Sequence, residues 1–220
     1  MTESTDASPL ARFHPLVASW FGHRYGEPTP VQAAAWPVIA AGRHVLASAP
    51  TGSGKTLTAF LDALSRFATG SLPATGLSVL YVSPLKALNE DVRVNLVGPL
   101  RELSSWFASN GEAFPKVRVS SRSGDTPQSE RRSMAASPPA ILCTTPESLA
   151  ILLASKSGIA ALSTVRLLIL DEVHAVLGTK RGSALACSVG RLALLAGEFQ
   201  RVALSATVRP FEAAARFVGG

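Results

Sequence analysis

The sequence predicts one doubly wound α/β domain, a mainly parallel sheet with helices on both faces. From Pro30 onward, short apolar runs alternate with longer amphipathic segments, the rhythm of strand–helix repeats with right-handed crossovers. Several runs are apolar almost throughout, as parallel strands covered on both faces should be. The length of 220 residues suits one large domain, since domains usually run about 100–200 residues. Hydrophobic residues at 47% against 16% charged exclude a disordered chain.

The elements follow in order. Met1 to Pro9 is small and polar, an expected frayed terminus, which leaves 10–220 as the domain. Pro28-Thr29-Pro30-Val31-Gln32 reads as a rigid turn before a helix. The expected strands are Val45–Ala49, Leu77–Val82, Val117–Ser120, Ala140–Thr144, Leu167–Asp171 and Arg201–Ser205. After Gly54, the residues Leu57, Phe60, Leu61, Leu64, Phe67 and Ala68 keep helical spacing up to a stop at Gly70.

Four strands run straight into helix-start signals: Pro50 to Thr56, Ser83-Pro84, Thr126-Pro127 and Thr145-Pro146. In the last three a hydroxyl residue at the N-cap precedes proline at the first helical position. In a parallel sheet all such turns gather at the carboxyl ends of the strands, the ligand edge of open α/β sheets. Each offers free backbone N–H groups and the positive end of a helix dipole. One edge with several anion sites calls for a ligand with several phosphates.

Charge agrees with that reading. Lys and Arg total 21 against 15 acids, a net charge of +6, and sixteen of the bases are arginine. Such an excess suits a polyanion, although it also serves plain solubility. The N-terminus carries Glu3 and Asp6 with no apolar h-region, and no apolar run approaches the ~18 residues of a membrane span. Two cysteines, Cys143 and Cys187, show no metal-ligand spacing. The expectation is a cytoplasmic protein without a membrane partner.

Gly52-Ser53-Gly54-Lys55-Thr56 carries the chemistry most directly. Its glycines let backbone N–H groups curl around a β-phosphate, the lysine reaches β and γ oxygens, and the threonine hydroxyl ligates magnesium. The strict pattern would start with glycine where Ala49 stands, at a strand end that needs no positive φ. Leu167 to His174 is the second signal: four apolar residues, then Asp171 and Glu172 together. Asp171 is placed to hold magnesium through water and Glu172 to orient or deprotonate an attacking water. Alternatively, the acidic pair caps the next helix. His174 is either structural or coupled to Asp171, while His14, His23 and His44 read as structural. Ser205-Ala206-Thr207 is a helix cap or a functional turn, and Gln32 is solvated or reads an adenine edge.

These elements, in this order, resemble the first RecA-like motor domain of a superfamily 2 DExH-type helicase. The matching motifs are the Gln32 turn, Ala49–Thr56, Ser83–Leu88, Thr145–Ser148, Asp171–His174 and Ser205–Thr207. Leu80–Leu88, Arg122–Arg132 and Gly178-Thr179-Lys180-Arg181-Gly182 resemble its large helicase-related (Lhr-type) branch. The resemblance implies a RecA-like phosphate-loop NTPase with ATP and Mg2+, in which Gln32 contacts adenine and Thr51, Gly52, Ser53, Gly54, Lys55 and Thr56 hold the triphosphate. It makes Lys55, Asp171 and Glu172 catalytic, with Thr56 and Asp171 on magnesium. Ser83, Pro84, Lys86, Arg122, Gly124, Thr126, Thr145, Pro146 and Glu147 would follow the backbone of a single strand. His174, Ser205 and Thr207 would couple nucleotide state to strand movement.

The implied partner is single-stranded or tailed nucleic acid, with DNA favoured over RNA and both left open by the sequence, and a repair role is suggested by the branch. The implied activity is ATP-dependent translocation and unwinding in the full-length protein. The second RecA-like domain and its arginine finger are expected to be missing from this chain, leaving slow hydrolysis and no unwinding alone. The alternative is a nucleotide-regulated nucleic-acid-binding module without turnover. A small-molecule phosphotransferase would share the phosphate loop but leave the Ser-Pro and Thr-Pro turns unexplained.

Overall fold

The computed structural model describes residues 8–50, 52–84, 93–206 and 210–219. Among them six strands form one sheet: β1 (Val45–Ser48), β2 (Val79–Val82), β3 (Val119–Arg122), β4 (Ile141–Thr144), β5 (Leu167–Leu170) and β6 (Gln200–Ser205). Their order is β1-β6-β5-β2-β4-β3, and every pairing is parallel.

The apolar runs become strands because both faces of the sheet are covered. Val79 and Tyr81 of β2, with Leu167 and Ile169 of β5, join one hydrophobic core. Leu80 and Val82, with Leu168 and Leu170, join the other. Period-two alternation is therefore present but sorts two apolar cores, not core from solvent. Burying each such Leu, Ile or Val contributes about 1.5–3 kcal/mol.

Helices α1 (Pro15–Tyr25), α2 (Pro30–Ala40), α3 (Lys55–Ala68) and α4 (Gly98–Ser109) cover the first face. Helix α5 (Gln128–Ala136) adds Met134 to the second face, which α6 (Pro146–Leu152), α7 (Lys156–Leu162), α8 (Lys180–Ala196) and α9 (Phe211–Gly219) cover. Helix α3 has the expected stripe and stops where Gly70 takes a left-handed φ of 75°.

Two expectations shift. The strand expected at Val117–Ser120 lies at Val119–Arg122, because pairing with β4 begins at Val119 opposite Ile141. A two-residue shift keeps parity, so Val117 and Val119 still face the first core. Thr126-Pro127 does not place its proline inside the helix. Pro127 is extended at ψ 147° and Gln128 starts α5, because the Thr126 hydroxyl accepts from Ser123 N–H at 2.9 Å and closes the preceding turn instead. Thr145-Pro146 behaves as expected: Thr145 Oγ1 accepts from Ser148 N–H at 3.3 Å, and Pro146 opens α6. The expected frayed segment, apart from Ser8 and Pro9, and the helix after Ser83-Pro84 lie outside the described residues. No helix among the described residues is long and apolar enough to cross a membrane.

Candidate functional site

Parallel pairing puts the carboxyl ends of all six strands on one rim, and strand order sorts what they carry. Reading from β1, the rim presents the phosphate loop, Ser205, Asp171, Ser83, Thr145 and Arg122. Nucleotide candidates therefore occupy one half and strand-contact candidates the other.

In the first half a cleft of about 750 Å³ is lined by Gly52, Gly54, Lys55 and Thr56 of the loop, Gln32, and both Asp171 and Glu172. Gly52 and Gly54 have φ of 82° and 81°, a conformation that L side chains resist. A Cβ on Gly54 would also meet Gln32 Nε2 at 2.7 Å. Ala49, at the position where the strict pattern has glycine, needs no positive φ. Lys55 is buried, and its Nζ donates to Ala49 O at 2.6 Å and Pro50 O at 2.7 Å, so the cation closes the loop over itself. Thr51 lies outside the described residues.

Gln32 is buried, which excludes the solvated reading. Its Oε1 accepts from Thr29 N–H at 2.9 Å, forming the capping box of α2, and its Nε2 donates to Gly54 O at 3.3 Å. The amide thus joins the Thr29 turn to the phosphate loop. Thr29 Oγ1 adds a second tie to Ser53 O at 3.0 Å.

Asp171 is held by a neighbour with an apolar look in sequence. Tyr81 stacks beside Phe60 in the core, and its hydroxyl donates a short hydrogen bond to Asp171 Oδ2. Asp171 Oδ1 accepts from Glu172 N–H at 2.8 Å. Glu172 is the non-glycine residue with positive φ among those described, at φ 50° and ψ 43°. Left-handed backbone of this kind costs about 1–3 kcal/mol and concentrates at functional sites. The pair does not cap a helix: Glu172 precedes a single 3-10 turn at Val173–Ala175 and makes no side-chain capping bond.

His174 Nδ1 lies 3.2 Å from Glu172 Oε2, 3.1 Å from Ala206 N and 3.4 Å from Ser205 Oγ. Ala206 N–H needs a lone pair on that nitrogen, whereas Glu172 needs a proton there. The imidazole therefore serves one or the other, according to where its proton sits. Ser205 is fully buried at the end of β6 and caps no helix among the described residues. Thr207 lies outside the described residues.

A hydroxyl and a carboxylate in one cleft are hard oxygen donors that fit magnesium, which takes one or two protein oxygens and keeps phosphates and waters for the rest. Among the described residues no cluster of three or more His, Cys, Asp or Glu could cage a metal without such a ligand.

The second half is more exposed and is organised by arginines. Arg131 donates from Nε to Thr126 O at 2.8 Å, and from one terminal nitrogen to Gly124 O at 2.6 Å and Ser123 O at 3.3 Å. One guanidinium thereby holds the whole turn after β3. Arg122 points from β3 to the face of the second core, where burial first and then Arg131 pull its guanidinium below the ordinary value. Thr144 Oγ1 donates to Arg122 O at 2.8 Å, joining β4 to that turn. Ser83 and Pro84 are buried at the end of β2, and Lys86 lies outside the described residues. Glu147 is bound by Arg181, whose Nε and Nη2 meet its two carboxylate oxygens at 2.5 and 3.0 Å.

Sequence reasoning assigned no role to Tyr81, Arg131 or Arg181. Tyr81 was detectable from strand parity, which puts its ring on the Phe60 face with its hydroxyl toward the rim. Tyr25, on the nucleotide cleft beside Phe21, carried no signal beyond an aromatic at a helix end.

The model of the DEAD/DEAH box helicase family matches residues 29–215. An Lhr helicase of Mycolicibacterium smegmatis is 51% identical over 216 residues, covering 97% of this chain and 14% of that protein. The Lhr helicase/uracil glycosylase of Escherichia coli is 45% identical over 230 residues, covering all of this chain and 15% of that protein. The solved structure of Mycobacterium smegmatis helicase Lhr bound to ssDNA and AMP-PNP superposes with a TM-score of 0.92 at 50% identity, over 97% of this chain and 27% of that one. The chain thus spans about a seventh of the length of these two curated relatives.

Proposed function

This chain belongs to the DEAD/DEAH box helicase family, and from that premise we propose that it is the ATP-binding RecA-like motor domain, residues 10–220, of an Lhr-type ATP-dependent helicase. One observation carries the reading: the phosphate loop and the Asp171–Glu172 pair line one cleft, while the capped turns continue along the same rim. The partner is single-stranded or tailed nucleic acid, with DNA favoured over RNA because a solved Lhr helicase is bound to ssDNA, and the setting is cytoplasmic. Translocation and unwinding belong to a longer protein that contains this span.

Gly52 to Thr56 cradle the triphosphate through backbone N–H groups. Lys55 exchanges the carbonyls of Ala49 and Pro50 for phosphate oxygens, so binding opens a loop already shaped around a charge. Thr56 and Asp171 would hold magnesium, which would neutralise charge on the phosphates. Tyr81 orients the Asp171 carboxylate, and Glu172 orients or deprotonates the attacking water. Gln32 contacts adenine and transmits occupancy to Gly54. His174 and Ser205, with Thr207, couple nucleotide state to the strand half. Ser83, Pro84, Lys86, Arg122, Gly124, Thr126, Thr145 and Pro146 form the strand path, reading backbone rather than bases, with Glu147 in the same turn as Thr145 and Pro146.

The test is steady-state ATPase activity with and without single-stranded oligonucleotide, for the chain and for Lys55→Ala. Stimulation by the strand that disappears in Lys55→Ala supports the motor. Strand binding that survives both Lys55→Ala and Glu172→Gln, with no turnover in any sample, would make the chain a binding module instead.

A further inference from the structure

The Gly178–Gly182 segment carries none of the proposed nucleotide or strand contacts, yet its arginine reaches two turns of the strand half. Arg181 stands in the first turn of α8, where a helix dipole disfavours a cation, so helix formation alone does not explain it. Its Nε and Nη2 grip both oxygens of Glu147, at the start of α6 after β4. Its Nη1 donates to Pro84 O at 2.9 Å, after β2. These three bonds use the planar fork of a guanidinium and have no equivalent for a lysine.

The arginine is itself held in place. Thr179 caps α8 through Gly182 N–H at 3.1 Å, and a Cβ on Gly182 would stand 2.2 Å from Val176 O. Glycine is required there so that the start of α8 can press against the turn leaving Asp171 and Glu172. Arg181 therefore links three rim segments, those after β2, β4 and β5. The bond to Glu147 dominates the fall of that carboxyl below its ordinary value and the rise of the guanidinium above its own.

We propose that Arg181 is a positioning residue for strand binding: it sets the Pro84 turn against the Thr145–Glu147 turn, and Glu147 acts through it instead of touching the strand. The inference rests on the strand path proposed above. It also inverts the simple electrostatic expectation. Removing a carboxylate from a polyanion-binding edge should tighten binding; removing the anchor of the clamp should loosen it.

The experiment measures affinity for a fluorescent single-stranded oligonucleotide by anisotropy, for the chain and for Arg181→Lys, Glu147→Gln and the double variant. Thermal midpoints are read on the same samples. Expected is a loss of about 3–10-fold in each single variant, with the double variant no weaker than the weaker single, the non-additivity of residues in one network. Tighter binding by Glu147→Gln, or effects that multiply, would overturn the clamp. So would a collapse of thermal midpoint in Arg181→Lys that accounts for its affinity loss. If the unaltered chain does not bind the oligonucleotide, the strand path itself falls; if it binds and the variants match it, only the clamp does.

Discussion

The two halves of the rim are built on opposite principles. In the nucleotide half Lys55 and Gln32 are buried and Asp171 is half-buried, and all three are tied before any ligand arrives: Lys55 to two carbonyls, Gln32 to Gly54, Asp171 to Tyr81. In the strand half arginines do the tying, half-buried Arg131 across one turn and exposed Arg181 across two more. A buried tie acts at low effective dielectric and resists salt; an exposed one is weaker and screened. The contrast suits the ligands. On the proposed function, a nucleotide must be seated with its reacting bond in register, whereas a sliding strand must be released.

The largest effects should fall in the buried half. Lys55→Ala removes charge-assisted bonds worth about 1.5–3 kcal/mol each. It should abolish measurable ATPase activity and weaken nucleotide binding at least about 10-fold by titration. Retained affinity would show that Lys55 Nζ stays on Ala49 and Pro50 when nucleotide binds. Close behind comes the split between the carboxylates. Glu172→Gln should keep magnesium-dependent affinity and lose about 10²–10⁴-fold in turnover, the range of general-base effects. Asp171→Asn should lose the magnesium-dependent part of affinity. Equal affinity losses in the two variants would remove the distinction drawn here.

Tyr81→Phe tests whether the buried half depends on its support. The ring stays beside Phe60, and only the donor to Asp171 disappears. Losing a bond of this type around a metal ligand costs about 10–100-fold in affinity or activity. The check is magnesium titration of ATPase activity, which should shift to higher concentration. An unshifted curve would make the phenol a packing group.

That residue also marks where sequence reading stopped. The motifs could be picked out because their patterns are local: the glycine loop, the paired acids after four apolar residues, and the Thr145-Pro146 helix start each span a few positions. The sheet followed from alternation, and parallel pairing then put every turn on one rim. What stayed hidden depends on neighbours distant in the chain. Tyr81 meets Asp171 across 90 positions and Arg181 meets Pro84 across 97. Gln32 shows the same limit: its type suggested a recognition amide, but its cap on Thr29 and brace on Gly54 needed the fold.

Arg131→Ala should have a milder effect, confined to the exposed half. The turn from Ser123 to Thr126 loses three bonds, and strand affinity should drop several-fold across all sequences, roughly 1 kcal/mol for bonds of this kind. Nucleotide affinity should hold. A loss limited to one oligonucleotide sequence would contradict backbone reading.

The smallest expected effect separates the halves by the sign of their response to acid. Arg181 holds the Glu147 carboxyl below its ordinary 4.5, so its contribution is complete above that value and is lost as pH falls through the folded one. Asp62, on α3 behind the phosphate loop, is the reverse case. Burial raises its carboxyl above the ordinary 3.8 despite Arg66, and Oδ2 lacks a hydrogen-bond partner, so its favourable contribution is complete below 3.8 and disappears as pH rises. Glu147 is more than half exposed, and exposed pairs contribute only about 0.2–1 kcal/mol. Urea midpoints between about pH 3.5 and 6 should therefore fall less steeply on acidification in Glu147→Gln than in the unaltered chain, and more steeply in Asp62→Asn. Parallel slopes in all three would mean that neither carboxyl is held as its surroundings imply. A steeper fall in Glu147→Gln would reverse the sign on which the Arg181 tie depends.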